Sequence, residues 1–326
     1  MIPFGVSFDG FTPIAESVAT AKLAEDAGAR SFWVAEHLGF RESFVTSLAI
    51  AQATRQARIF PTSVSPYLRH PLPTAMALAS LAEFLPGRFG IAVGVGNPMF
   101  LRESGLTVEK PIKAVRDYVG AMRALLTTNP VAMEGATFTL NNARLAFRPD
   151  ELPPIYLAPM GPQMLRLSGA IADGLVLSAG LTTAYVAQSL ALAAGSARER
   201  CIDPAQLRKT SYIYFCAGGD AQDRKDKLRQ KLAFLFRNQN IADNIRSSGL
   251  DIDQEAIMAA IAQRDQAKAA SHVPDAAIEV FTVSGDAAEC RKRLREYLDA
   301  GLDELVLSLV GTAEDRMRSL SIIKDC

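Results

Sequence analysis

Short runs of strand character alternate with helical runs from one end of this chain to the other, and few architectures accept that rhythm. Strand-like segments at 2–8, 31–35, 57–64, 89–95, 155–158, 174–178, 210–217 and 303–309 are each followed by a stretch with helical spacing. Several, such as Gly90-Ile91-Ala92-Val93 and Leu305-Val306-Leu307, are apolar without interruption. A strand reads this way when both of its faces are buried in a parallel sheet. A further strand is expected at 278–283, and segment 133–147 reads as a β-hairpin turning at Asn141-Asn142. At least eight β-α steps favour an α/β fold of the closed (β/α)8 TIM barrel type over an open doubly wound sheet. No G-x-G-x-x-G follows the first strand, which weakens the doubly wound alternative. One stretch breaks the rhythm. Residues 240–275 are polar and helical, and read as a helical insertion late in the chain, either a lid, part of the pocket wall, or a solvent-facing excursion. Residues 1–326 are expected to form a single domain.

Composition narrows the partners. Apolar residues make up 49% and charged residues 21%, which is ordinary for a packed globular chain. Lysine plus arginine and aspartate plus glutamate both number 35, so no excess of cations points to a nucleic-acid partner. Residues 174–197 carry no charge, but Ser178, Gly180, Thr182, Thr183, Gln188 and Ser189 interrupt them. They read as a buried strand and a small-residue helix, not as a membrane span. The start has no basic region before an apolar core, and the four cysteines are scattered without a C-x-x-C. A cytoplasmic location, with neither disulfide framework nor zinc site, is expected. The three histidines, His37, His70 and His272, form no H-x-H or H-E-x-x-H pair, so a metal-dependent barrel hydrolase is disfavoured and no metal ligands are assigned.

A barrel of this kind carries its chemistry at the C-terminal ends of its strands. The second strand ends in Glu36-His37, a carboxylate and an imidazole able to relay protons near neutral pH, or simply a hydrogen-bonded surface pair. The third runs into Thr62-Ser63-Val64-Ser65-Pro66-Tyr67-Leu68-Arg69-His70-Pro71. Its hydroxyls suit a polar ring edge, and Arg69 and His70 either bind a ligand or anchor a rigid loop. The fourth ends in Gly94-Val95-Gly96-Asn97, where glycines let a flat ligand approach the backbone. The fifth gives Ala158-Pro159-Met160-Gly161-Pro162 at a helix start, a natural phosphate position or an ordinary tight connection. The sixth ends at Ser178.

Taken together and in this order, these elements resemble the bacterial-luciferase-like superfamily of flavin- and deazaflavin-dependent oxidoreductases. The matching segments are AKLAEDAGARSFWVAEH (21–37), TSVSPYLRHP (62–71), LPGRFGIAVGVG (85–96), IYLAPMGPQMLRLSGAIADG (155–174) and GDAAECRKRLREYLDAGLDELVL (285–307). The resemblance spans nearly the whole chain except 240–275. It implies a flavin-type ring at the C-terminal mouth of the barrel, and a non-proline cis peptide after the third strand, here at Ser63–Val64. His37 and Glu36 match the acid–histidine pair at the redox centre. Thr62, Ser63 and Val64 match the bulge behind the ring, and Gly94, Gly96 and Asn97 the segment lining it. Ala158, Met160, Gly161 and Pro162 match the segment around the ribityl and phosphate part, with Ser178 close by. Two departures stand out. Sugar-phosphate dehydrogenases of the superfamily carry an acid where this chain has Asn97, and an amide cannot act as a general acid. Pro159-Met160 stands where relatives are richer in alanine and glycine.

The P-Y-x-R-H-P loop at 66–71 looks most like the branch of methylenetetrahydromethanopterin reductases, which use coenzyme F420. The resemblance therefore implies hydride transfer between F420 and a small organic substrate. FMN is the alternative cofactor. Reduced FMN reacts with oxygen, so it implies a monooxygenase supplied by a separate flavin reductase. A flavin-binding protein without turnover is a second alternative. Superfamily members form homodimers or homotetramers, and the alanine-rich helices at 186–198 and 254–270 offer close packing to a second subunit.

Overall fold

In a computed structural model, which describes residues 2–127 and 129–326, the alternation folds as follows. Strand β1 (Phe4–Phe8) leads to α1 (Ile14–Asp26), β2 (Ser31–Ala35) to α2 (Ser43–Ala53), and β3 (Arg58–Val64) to α3 (Pro71–Phe84). Strand β4 (Ile91–Val93) is followed by a short α4 (Pro98–Glu103) and then α5 (Pro111–Leu125). A hairpin of β5 (Val131–Glu134) and β6 (Thr139–Ala143) precedes β7 (Ile155–Leu157), α6 (Pro162–Ile171), β8 (Gly174–Leu177) and α7 (Thr183–Glu199). After β9 (Arg208–Ala217) the chain leaves the barrel through α8 (Ala221–Phe236), α9 (Ala242–Ser247), α10 (Gln254–Ala262), α11 (Gln266–Ser271) and α12 (Asp275–Phe281). It returns through β10 (Val283–Gly285), α13 (Ala287–Asp299), β11 (Glu304–Leu309) and α14 (Ala313–Ile323).

Eight parallel strands close a ring in the order β1-β2-β3-β4-β7-β8-β9-β11, with β11 pairing back onto β1. The fold is the expected (β/α)8 barrel. Among the described residues, no helix is long and apolar enough to cross a membrane.

Three local readings change. Residues 275–281 are helix, not strand, because Ala277, Ile278 and Phe281 bury one helical face, and the Thr282 hydroxyl closes the end on the Ile278 carbonyl at 2.6 Å. The hairpin turns at 135–138, closed by the Gly135 N–H on the Phe138 carbonyl at 2.9 Å. Asn142 instead sits inside β6 with φ 58°, beside a shift in register. Asparagine tolerates positive φ in a bulge as readily as in a turn, so its presence did not locate the turn. Finally, α8 packs against α10, α11 and α12 rather than serving as a simple barrel helix, so the excursion begins before residue 240. The helix that follows β9 around the ring is α13.

The alanine-rich stretches are used within the chain. A Cβ placed on Gly169 of α6 would lie 1.9 Å from the Ala193 carbonyl oxygen of α7, so these helices touch backbone to backbone. Ile257, Ala260, Ala269 and Ala270 are buried where α10 and α11 meet α8.

Inside the ring, Trp33, Phe60, Ala92, Tyr156, Val176 and Val306 form a core separate from the outer one, with Ala158 and Tyr212 against it. Trp33 and Phe60 stack at 4.3 Å and 9°, and the rings of Tyr156 and Tyr212 meet Trp33 edge-on. Beneath this plug, the Trp33 indole donates to Ser31 Oγ at 2.7 Å, and Ser31 donates to the Glu304 carboxylate. Gly90 and Gly174 make room for the plug, since a Cβ there would lie 2.3 Å from the Phe60 ring and 2.5 Å from the Tyr156 ring. Alternate residues of a strand share a face. The positions one step toward the mouth are therefore Ser7, Ala35, Thr62, Gly94, Ala158, Ser178 and Ser308, all small. Only β9 contributes a large residue, Tyr214. A filled floor therefore lies under a small-residue layer at the C-terminal mouth.

The excursion is fastened over one side of that mouth by Asn244, which is fully buried. Its Oδ1 accepts from the Thr182 N–H at 2.9 Å and its Nδ2 donates to the Gly180 carbonyl at 2.8 Å. Replacing Asn244 by leucine leaves both backbone groups unpaired, a loss of about 1–3 kcal/mol for a buried polar group. Asn244→Leu should lower the unfolding free energy by that order and speed amide exchange across 239–262 selectively. Unchanged exchange in that segment would show that the amide does not fasten it.

Candidate active site

The two residues at the end of β2 go separate ways. The Glu36 backbone N–H bonds the Thr62 carbonyl at 2.7 Å and continues the β2–β3 pairing. Its carboxylate, 6% exposed, accepts from Arg69 Nε at 2.8 and 3.1 Å and from Arg69 Nη2. Arg69 also bonds Glu42, whose second oxygen caps α2 at the Val45 N–H (2.6 Å), and it lies 4.9 Å over the Phe44 ring. Burial works against the guanidinium charge, but its two carboxylate partners outweigh burial and hold its pKa above the ordinary value. Arg69 thus ties loop 65–71 to the end of β2. His70 caps α3, with Nδ1 accepting from the Leu72 N–H at 3.3 Å. Among the described residues, Glu36 therefore bonds Arg69 rather than His37, and the expected acid–histidine contact is absent.

His37 bonds elsewhere. Its Nδ1 lies 2.8 Å from the Asp9 backbone carbonyl. A carbonyl only accepts, so Nδ1 carries the proton and Nε2 is left with the free lone pair in the neutral ring. Burial pulls the His37 pKa below its ordinary 6.5, opposed in part by the Asp9 carbonyl and carboxylate, so the ring is neutral at pH 7. Phe11 stacks on it at 5.3 Å and 23°, and Phe100 stands 5.3 Å away. Asp9, Phe11 and Phe100 escaped the sequence reading. The signal for the first was an Asp-Gly step directly after the first strand.

The third strand carries the second feature. The cis peptide lies at Thr62–Ser63, one residue before the expected Ser63–Val64 bond. The register shows where: Thr62 pairs with Ala92 and Val64 with Val93, so Ser63 is the extra residue. Thr62 Oγ1 accepts from the Tyr212 hydroxyl at 3.2 Å. Val64 is fully buried in the outer core and does not belong to the interior cluster. Gly94 lies opposite Ser63, where a Cβ would fall 2.9 Å from Ser63 Cβ and 3.3 Å from Ala158 Cβ. Ser63, Gly94 and Ala158 thus meet as one shelf. Gly96 (φ 94°) is required for another reason, since a Cβ would lie 3.2 Å from Leu101 and Ser65. Asn97 caps α4, with Oδ1 accepting from the Met99 N–H at 3.0 Å.

Across the mouth, Gly161 (φ 77°) opens α6 with Pro162 at its first position, and the space where a Cβ would project is empty. A pocket here is lined by Met160, Gly161, Ser178, Tyr185, Asn240 and Asn244, among others. Met160 Sδ lies 4.0 Å from Asn238 Nδ2. The excursion therefore supplies one wall of this pocket. Ser178 offers its carbonyl to Ser211 Oγ at 3.2 Å. Burial pushes the Tyr214 hydroxyl up to about 12, and Tyr212 is raised as well, so both phenols remain protonated donors. The shelf, the open helix start at Gly161 and the neutral histidine line the same end of the barrel.

Comparison with known proteins agrees with this fold. The chain is 28% identical over 306 residues, 93% of each chain, to a 5,10-methylenetetrahydromethanopterin reductase of Methanolobus tindarius. It is 31% identical over 209 residues, 60% of this chain and 62% of the other, to an F420-dependent glucose-6-phosphate dehydrogenase of Beutenbergia cavernae. Its fold superimposes, with TM-score 0.89 and 23% identity over 99% of this chain and 97% of the other, on the coenzyme F420-dependent tetrahydromethanopterin reductase of Methanopyrus kandleri. The family model described as luciferase-like monooxygenase matches residues 4–304, and the chain belongs to that family.

Proposed function

We propose that this protein is an oxidoreductase that binds coenzyme F420 at the barrel mouth and moves hydride between it and a small organic substrate. The observation that carries the reading is the shelf of Ser63, Gly94 and Ala158 at the mouth that holds a neutral histidine, a shelf so closely packed that a Cβ on Gly94 would collide with Ser63. Likeness to reductases and dehydrogenases named for F420 supports the deazaflavin over a flavin. Thr62, Ser63, Gly94 and Ala158 would hold the ring, and Met160, Gly161, Pro162 and Ser178 the ribityl and phosphate part. The coenzyme, when bound, supplies or accepts hydride.

The chain's own residues supply the proton and the enclosure. His37 Nε2 takes or gives the proton at the substrate oxygen or nitrogen, with Asp9 fixing the tautomer through Nδ1. Glu36, neutralised by Arg69, positions loop 65–71 and carries no proton in the reaction. Asn97 is occupied as a helix cap, so the end of β4 offers no competing acid. The excursion from 218 to 282 acts as a lid over the tail pocket. A second reading, an FMN-dependent monooxygenase served by a separate flavin reductase, is favoured by the family model's description.

The working form is a homodimer joined through α2 and α3. Neither helix resembles the charged outer helices α5, α8 or α13. Helix α2 has no charged residue and α3 only Glu83, while Val45, Met76 and Phe84 are exposed.

Four measurements test this reading. Anaerobic titration should show F420 binding at least about tenfold more tightly than FMN, a difference of about 1.4 kcal/mol. The opposite order overturns the coenzyme choice. His37→Ala should lower kcat by about 10²- to 10⁴-fold with F420 intake unchanged, and a kcat within about threefold of wild type removes His37 from the proton transfer. In wild type, NMR should place the His37 midpoint below 6.5. Because the folded state disfavours the protonated ring, the stability contributed by neutral His37 is complete above pH 6.5 and lost as pH falls through that midpoint. Val45→Asp with Met76→Asp should convert a dimer to a monomer in light scattering, and a persistent dimer would place the interface elsewhere.

A further inference from the structure

The rings around His37 come from three separate loops. Phe11 follows β1, Phe40 follows β2, and Phe100 lies on α4 after β4. Phe11 and Phe40 meet at 4.5 Å, Phe40 and Phe100 at 5.8 Å, and both Phe11 and Phe100 stand 5.3 Å from the imidazole. Phe11 and Phe40 remain 43% and 45% exposed, although each has a half-buried aromatic partner. Exposed aromatic faces converging on one reactive group mark a surface that binds something apolar.

The charges bonded into these loops are already engaged. Arg41 Nη1 donates to the Phe11 carbonyl at 2.8 Å and the Gly10 carbonyl at 3.4 Å, which holds the Phe11 loop in place. Asp9 Oδ1 accepts from the Phe11 N–H at 3.0 Å. Glu36 and Glu42 share Arg69. His37 itself is neutral at pH 7. An anionic group placed among the three rings would give up its hydration, and Arg41, the cation bonded to the Phe11 loop, is already held by two backbone carbonyls.

We infer that Phe11, Phe40 and Phe100 form the substrate subsite over His37, built for an uncharged apolar body, aromatic or aliphatic, attached to the reacting carbon, and closed to sugar phosphates and carboxylates. This rests on the reading of His37 as the proton-transfer group. The three rings lie at the β1, β2 and β4 loops, and the pocket proposed for the coenzyme tail lies at β7 and β8, so the substrate and the coenzyme tail take opposite sides.

The test is fluorine NMR with 4-fluoroacetophenone, on the protein both free and loaded with F420, with 4-fluorobenzoate and glucose 6-phosphate as competitors. Saturable binding of the ketone is expected in the loaded protein, at least about tenfold tighter than the benzoate, with no displacement by the sugar phosphate. Phe11→Ala and Phe40→Ala should each weaken ketone binding at least about fivefold, while Phe11→Leu keeps most of it. The subsite is refuted if the sugar phosphate or the benzoate displaces the ketone, or if the alanine variants bind like wild type. It is also refuted if F420 expels ketone bound to the free protein, which would give the rings to the coenzyme. Failure to take up F420 is read separately from coenzyme absorbance, and it sinks the coenzyme choice while the free-protein arm still judges the rings.

Discussion

The packing of Trp33 on Phe60 at the centre of the ring is the contact on which the mouth depends. A closed eight-stranded barrel has an interior just wide enough for side chains to fill. Here large rings fill the middle layer, and Gly90 and Gly174 on neighbouring strands yield the space they occupy. With the floor set at that height, the layer above is free to be small. Bulk is placed in one layer and withheld from the next. Filling the floor also carries polar groups inward, and the Trp33–Ser31–Glu304 chain satisfies them, with burial raising the pKa of Glu304.

Above the floor, the site is organised by backbone carbonyls and partly buried ion pairs rather than by contacts among the reactive groups themselves. His37 takes its tautomer from the Asp9 carbonyl just past the end of the neighbouring strand. Loop 65–71 takes its position from Arg69 held between Glu36 and Glu42. The excursion takes its position from Asn244 bonded to the β8–α7 loop. Each device joins a loop to an adjacent strand end, so the geometry at the mouth is inherited from the rigid ring beneath it.

Much of this was legible in the residues. The alternation of apolar runs pointed to the barrel, and the strand-end residues pointed to the mouth. Within the candidate site, Ser63, Gly94 and Ala158 do meet, and Met160, Gly161 and Ser178 do share a pocket. Other parts were not legible. Glu36 and His37 are neighbours in sequence but find partners on different loops. Gly96 and Asn97 read as ligand-lining, yet packing on α4 and capping of α4 account for them. Phe11, Phe40 and Phe100 lie far apart along the chain, and an isolated phenylalanine in a loop carries no sign of its neighbours.

The sequence by itself determined the fold class and the end of the barrel where chemistry resides, because strand burial and helix amphipathicity are written in local periodicity. Only the tertiary structure decided which side chains share a space: the partner of His37, the residue at which β3 bulges, and the rings that surround the imidazole. Those depend on the register between strands and on how loops from different β-α units converge, and a single chain read in order holds no record of distances across the ring.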